Sequence, residues 1–107
     1  MSYKSSAYSA SVGDLTVETS GTIIPNGESW LIRRFKGSAS YIPDTESCLI
    51  WDRGGAGELV LYCTHGDADV EIDFTLVGDG VKELEIVLDN QTDTAQSMSA
   101  SWEGTSL

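Results

Sequence analysis

Residues 67–76 read Asp67-Ala68-Asp69-Val70-Glu71-Ile72-Asp73-Phe74-Thr75-Leu76. Every second side chain is apolar, and the ones between are acidic or hydroxylic. In an extended strand successive side chains point to opposite faces, so this alternation makes one apolar face and one wet face. A helix would scatter the same residues around its axis. The segment is a half-buried β-strand, and its apolar face needs a second layer to cover it.

The neighbouring segments repeat the pattern. Gly78-Asp79-Gly80 carries the positive-φ chemistry of a tight turn. Beyond it Leu84, Ile86 and Leu88 make an inner row, with Glu83, Glu85 and Val87 outside and Asp89-Asn90 at the end. A weaker strand runs near Met98, Ala100 and Trp102, before Gly104. Upstream, Leu15-Thr16-Val17-Glu18-Thr19 alternates, and Thr22-Ile23-Ile24 runs into the turn signal Pro25-Asn26-Gly27. Trp30 and Ile32 share a face of the next strand, which is expected to leave the core near Arg34. Lys36-Gly37-Ser38 reads as a break, followed by a short strand over 39–42 and a turn at Pro43-Asp44-Thr45.

Residues 47–52 and 58–64 flank Arg53-Gly54-Gly55-Ala56-Gly57 as a hairpin. Both arms are apolar on both faces, as in strands that are covered twice. Ile50 and Leu61 are assigned inward, and Leu49, Trp51, Val60 and Tyr62 outward. The expected core is then Leu15, Val17, Trp30, Ile32, Ile50, Leu61, Val70, Ile72, Phe74, Leu84, Ile86 and Leu88. Phe74 is its sharpest member, with Phe74→Ala expected to cost ~3–5 kcal/mol if buried.

About eight or nine short strands at this spacing predict an all-β fold, an antiparallel β-sandwich of jelly-roll or Greek-key type. A closed barrel is the alternative. The chain has 107 residues, the size of a single domain. That domain is expected over 13–107, with 1–12 as a flexible N-terminal arm or an edge strand. No apolar signal segment and no membrane-length apolar run is visible, so synthesis in the cytoplasm without a signal peptide is expected.

Charge narrows the partners. Seventeen acidic residues against six basic give a formal net charge of −11, which repels nucleic acid and anionic lipid. Half of the basic residues sit together as Arg33, Arg34 and Lys36. They read as a solvated cluster or as a docking spot for an acidic partner.

Other constellations carry less chemistry. Pairing Arg53 with Glu58 would set Cys48 opposite Cys63, so the two are a possible disulfide or a pair of buried thiols. A metal site is not expected there, since only His65 lies near and there is no third sulfur. The row Asp67, Asp69, Glu71 and Asp73 invites calcium, but alternate strand residues diverge along a line where calcium wants converging oxygens. If residues 67–76 paired with 82–88, Asp73 would meet Glu85, so the two strands are expected in different sheets or against a basic partner. His65-Gly66-Asp67 lacks any serine placed beside it, and no catalytic residue or cofactor site is expected. Asn90-Gln91-Thr92 has the form of a glycosylation sequon. Trp30, Trp51 and Trp102, with Tyr41 and Tyr62, read as core packing or as a sugar platform.

Ile24-Pro25-Asn26-Gly27-Glu28-Ser29-Trp30 resembles the opening pattern, hydrophobic–Pro–x–Gly–Glu–x–Trp, of small β-sandwich virion proteins of tailed bacteriophages. Pro43-Asp44-Thr45 before Leu49-Ile50-Trp51-Asp52 fits it, as does Gly78-Asp79-Gly80 before 84–88 and Asp89-Asn90. The similarity spans about residues 20–104 and lies in turn and strand cues. It implies a non-enzymatic structural protein of the virion, a capsid decoration protein or a collar, neck or tail accessory. Such a protein acts through contacts with other virion proteins and with itself as a homo-oligomer, without nucleic acid, membrane, metal or cofactor. Leu49, Trp51, Val60, Tyr62, Arg33, Arg34 and Lys36 are the expected interface. A carbohydrate-binding or adhesin module using exposed aromatics is the alternative.

Overall fold

The computed structural model describes residues 1–40 and 43–107, and among them the regular structure is eight strands. These are β1 (Tyr3–Val12), β2 (Thr16–Ile23), β3 (Ser29–Ala39), β4 (Thr45–Trp51), β5 (Leu59–His65), β6 (Ala68–Val77), β7 (Glu83–Asn90) and β8 (Gln96–Ser106). Two four-stranded antiparallel sheets pack face to face, in the orders β1-β8-β3-β6 and β2-β7-β4-β5. Strand β1 pairs with β8, β2 with β7, β3 with β6 and β4 with β5. The chain is thus one long hairpin centred on the β4–β5 turn, wound so that β8 also meets β3 and β7 also meets β4. That is the jelly-roll form of the β-sandwich. Tyr41 and Ile42 lie outside the described residues, and with them half of the short strand expected over 39–42; Ala39 is the last residue of β3.

The even-numbered residues of β6 face inward as the alternation predicts. Leu76 is buried, while Val70, Ile72 and Phe74 are only partly covered and pack against the core. The reason is position, since β6 is an edge strand. Leu84, Ile86 and Leu88 of β7 lie mid-sheet and are fully buried, with Met98, Ala100 and Trp102 of β8 beside them. Strands β6 and β7 sit in different sheets, which keeps Asp73 away from Glu85.

Three expectations are overturned by register. In β3 the pairing shifts between Ile32 and Arg34, a β-bulge. A bulge reverses which side chains face in, so Phe35, not Arg34, takes the next core position and is fully buried. The strand also continues through Gly37 instead of breaking. A Cβ on Gly37 would sit 3.3 Å from the Thr64 methyl and 3.4 Å from the Ser47 Cβ of the facing sheet, so this glycine lets the layers approach. In β4 the inward row is Thr45, Ser47, Leu49 and Trp51, and Ile50 joins Cys48 and Val87 in a small cluster on the far side of the sheet. In β2 the inner side is held by Ser20, Thr22 and, just past the strand, the buried Ile24. Val17 is 43% exposed, and Leu15, in a turn with φ 50°, is 65% exposed.

The N-terminal segment pairs along β8 as an edge strand and does not fold over the β4–β5 hairpin. Both ends of the interlayer space are plugged. At one end Trp30 and Trp102 pack with ring centroids 6.0 Å apart, the Lys4 ammonium lies 5.0 Å from the centre of the Trp30 ring, and the Trp30 indole N–H donates to Glu28 at 3.0 Å. At the other end the fully buried Asn90 amide donates to the carbonyls of Val12, Gly13 and Thr94, and its oxygen accepts from the Thr92 N–H and hydroxyl. The sequon asparagine is therefore a structural clasp with no exposed amide to modify.

Phe35→Ala is expected to cost ~3–5 kcal/mol in urea melts, because its ring fills the middle of the interlayer. Phe74→Ala, on the half-open edge, is expected to cost about half that or less. Equal losses would show that the bulge is misplaced.

Candidate functional site

Leu49 and Trp51 do not form a surface. They lie in the interlayer core, where the Tyr62 ring also packs, 5.8 Å from Phe35 between ring centroids. A hairpin apolar on both faces leaves its inward side undecided by period alone. Leu61 adds to the ambiguity as the extra residue of a bulge, since Leu49 pairs with Tyr62 but Ile50 pairs with Val60. Of the four hairpin residues expected at an interface, only Val60 is exposed.

The basic cluster lies on the outer face of β3. Arg34 reaches Asp69 at 3.5 Å, Glu71 at 3.8 Å and Glu103 at 3.6 Å, while Arg33 and Lys36 remain exposed. The acidic row of β6 and the β8 carboxylate thus engage its central cation internally. Exposed pairs of this kind contribute about 0–1 kcal/mol each, so the arrangement orients charge more than it stabilises the fold. Asp67 accepts from the Ala39 N–H at 3.4 Å, which leaves the row spread along the edge.

On the outer face of the other sheet, Cys48 and Cys63 are directly opposite across β4 and β5 and are joined as a disulfide. Two residues along, past Ser47 and Thr64, Glu46 faces His65. His65 Nδ1 lies 2.9 Å from the Thr45 carbonyl oxygen and Nε2 lies 3.3 Å from the Glu46 carboxylate. Both imidazole nitrogens are thus engaged, one at a backbone carbonyl and one at a carboxylate. The three tryptophans are all buried, so they present no platform to a sugar.

The surface that sequence reasoning missed is at one tip. The long axis of the molecule measures 43 Å. At one end of the strands lie both termini, the β2–β3 turn, the β4–β5 turn and the β6–β7 turn. Ten large hydrophobic side chains are exposed among the described residues, and seven of them are here: Met1, Tyr3, Ile23, Leu59, Val77, Val81 and Leu107. The turns are tied to each other. Gly78 N–H donates to Glu28 O at 2.8 Å, Gly80 N–H to Ile24 O at 3.1 Å, and Leu107 N–H to Ser29 O at 2.8 Å. Asp79 accepts from the backbone N–H groups of Lys82 and Val81, both at 2.8 Å, and these bonds hold its carboxyl below its ordinary range. The turn so fixed presents Val81 outward, 77% exposed. Single exposed apolar residues are ordinary, but here seven of the ten fall at one structured end. Each was legible only as an isolated residue beside a turn, because the seven come from five separate stretches of chain.

No protein-family model matches the chain, and no curated protein matches it.

Glu85 is the most perturbed carboxylate on the outer face of β7. Burial raises its pKa, a hydrogen bond with Glu83 adds to the rise, and Arg53, 3.8 Å away, opposes it. A pKa raised on folding stabilises the folded state below the unfolded pKa, and that contribution is lost as pH climbs through the folded value. Glu85→Gln is therefore expected to raise the melting temperature at neutral pH and to change it little under acid conditions where Glu85 is protonated. Equal melting shifts at both pH values would remove Glu85 as the source.

Proposed function

We propose that this chain is a non-enzymatic structural protein of a bacteriophage virion, a capsid decoration protein or a collar, neck or tail accessory, that docks on other virion proteins and on copies of itself. The observation that carries the reading is the gathering of exposed apolar side chains on one hydrogen-bonded tip. The segments that resemble small phage virion proteins, 24–30 and 78–80, are the turns that build that tip. The burial of Trp30, Trp51 and Trp102 counts against the sugar-binding alternative. The acidic exterior favours a partner surface carrying Lys and Arg around an apolar centre.

The tip replaces the hairpin face as the place to test association. Val77→Asp with Val81→Asp puts charge into it without touching the core. Wild-type protein is expected to self-associate in light scattering or to bind purified particles, and the double variant is expected to lose this while keeping its melting temperature within about 1 kcal/mol of stability. A wild type that stays monomeric at high concentration and binds no particle component defeats the reading.

A further inference from the structure

Four strands of the sandwich have a neighbour on one side only: β1, β2, β5 and β6. Such an edge offers a row of main-chain N–H and C=O groups to another strand unless charge, proline, a bulge or shortness blocks it. Three of the four are blocked. Strand β6 carries Asp69, Glu71 and Asp73 and shifts register against β3. Strand β5 has seven residues and shifts register against β4. Strand β2 has eight, with Glu18 and Gly21 among them. Strand β1 has none of these features. It runs for ten residues without proline, glycine or a carboxylate, and pairs with β8 in one unbroken register.

The groups on its open side follow from the ladder. Ser106 N–H donates to the Ser2 carbonyl at 2.8 Å, and this pair continues the register that sets Tyr3 opposite Thr105. Bonded and non-bonded pairs alternate along an antiparallel ladder, so the even-numbered residues of β1 turn their backbone groups to β8. Tyr3, Ser5, Ala7, Ser9 and Ser11 turn theirs to the open side, and all five residues are exposed. In the same phase Leu107 N–H, next to Ser106, donates across to Ser29 instead. Two long side chains that could shield the edge are held by the chain itself. The Tyr3 hydroxyl donates to Glu103 at 2.7 Å, and the Lys4 ammonium lies 5.0 Å from the centre of the Trp30 ring.

Charge selects the occupant. Residues 1–13 hold no carboxylate and one basic side chain, Lys4, in a chain of net charge −11. Two copies that met along β6 would oppose their acidic rows, whereas along β1 they do not. An antiparallel strand is its own complement about a two-fold axis, so the pairing closes at two copies.

We propose that β1 pairs antiparallel with β1 of a second copy, joining two four-stranded sheets edge to edge across a two-fold axis at Ala7. Ser5 then lies opposite the partner's Ser9, and Tyr3 opposite the partner's Ser11. The outward residues of the two copies form about ten main-chain hydrogen bonds, the ordinary currency of strand addition. On the inner side Lys4 lies opposite the partner's Ala10 and Ser6 opposite the partner's Tyr8. That covers the half-buried Tyr8 and Ala10 and opposes no like charges along the pair. The contact is separate from the tip and does not rest on the virion reading.

The test is sedimentation of the full chain over a concentration series. Wild-type protein is expected to form a dimer. Ala7→Pro removes an N–H that points to the open side and no bond of the native ladder, the one setting in which a strand accepts proline. It is expected to weaken the dimer by tenfold or more and to leave the monomer folded. Ser5→Lys with Ser9→Lys sets cations opposite each other across the axis and is expected to weaken the dimer likewise. Ser5→Lys with Ser9→Glu sets opposite charges there and is expected to restore it. If proline unfolds the chain, these two variants decide alone. Val77→Asp with Val81→Asp, at the tip, is expected to leave this dimer intact. A wild type that stays monomeric at high concentration, a dimer indifferent to both Ala7→Pro and the double-lysine variant, equal dimerisation of the double-lysine and lysine–glutamate variants, or a dimer abolished by the tip variant alone would each overturn the edge contact. A dimer that responds as expected but binds no particle component supports the edge contact and counts against the virion reading.

Discussion

Two sheets packed about 10 Å apart enclose a single interior layer, so each strand can bury only one of its two faces there. Every other feature of the molecule answers to that limit. The large side chains of mid-sheet strands, Phe35, Ile32, Leu49, Leu84, Ile86 and Leu88, fill the layer completely. Edge strands contribute half-covered residues such as Val70 and Phe74. Where the sequence and the pleat fall out of step, a bulge restores the inward row, in β3 so that Phe35 enters and in β5 so that Leu61 does. Gly37 allows the sheets to meet where a side chain would hold them apart.

The winding of the chain sets where stability must come from. Except for β4 with β5, the strands that pair are distant in sequence, so most pairings close long loops before they contribute. The innermost pair, β4 with β5, is the local one, and it carries the Cys48–Cys63 bond with a sequence separation of 15. In the chain-entropy picture a crosslink over a loop of that size contributes about 3 kcal/mol, at the one place from which the rest of the roll can be wound outward. At the far end of the strands Asn90 holds the start of the β1–β2 connection to the β7–β8 connection, so the distant ends of the winding are also tied.

The acidic excess is distributed with consequences for assembly. Strand β6, an open edge ten residues long, carries its row of carboxylates on the solvent side, which discourages strand-to-strand aggregation along that edge. Arg34 offsets part of that charge from within the same sheet. The tip is different, since it holds seven of the ten exposed large hydrophobic side chains among the described residues and its backbone is pinned by turn-to-turn hydrogen bonds. The acidic sides of the body repel other acidic surfaces at long range.

The sequence by itself determined that the chain is all-β, where most strands lie, and which way β6, β7 and β8 face. In those strands one row is apolar and the other is polar or small, and period two leaves a single answer. It also offered Cys48 opposite Cys63 as one possible register, and different sheets for Asp73 and Glu85 as one of two arrangements, and the structure selects both. Only the tertiary structure decided the inward rows of β2, β3 and β4. In β4 both rows are apolar, in β3 a bulge reverses the count after Ile32, and in β2 the fully buried Ile24 lies just past the strand while Val17 alternates outward. The tip and the Glu46–His65 rung beside the disulfide were equally hidden, for the same physical reason. Each is made by residues that acquire meaning only when strands distant in sequence, or a register set by a bulge, bring them together.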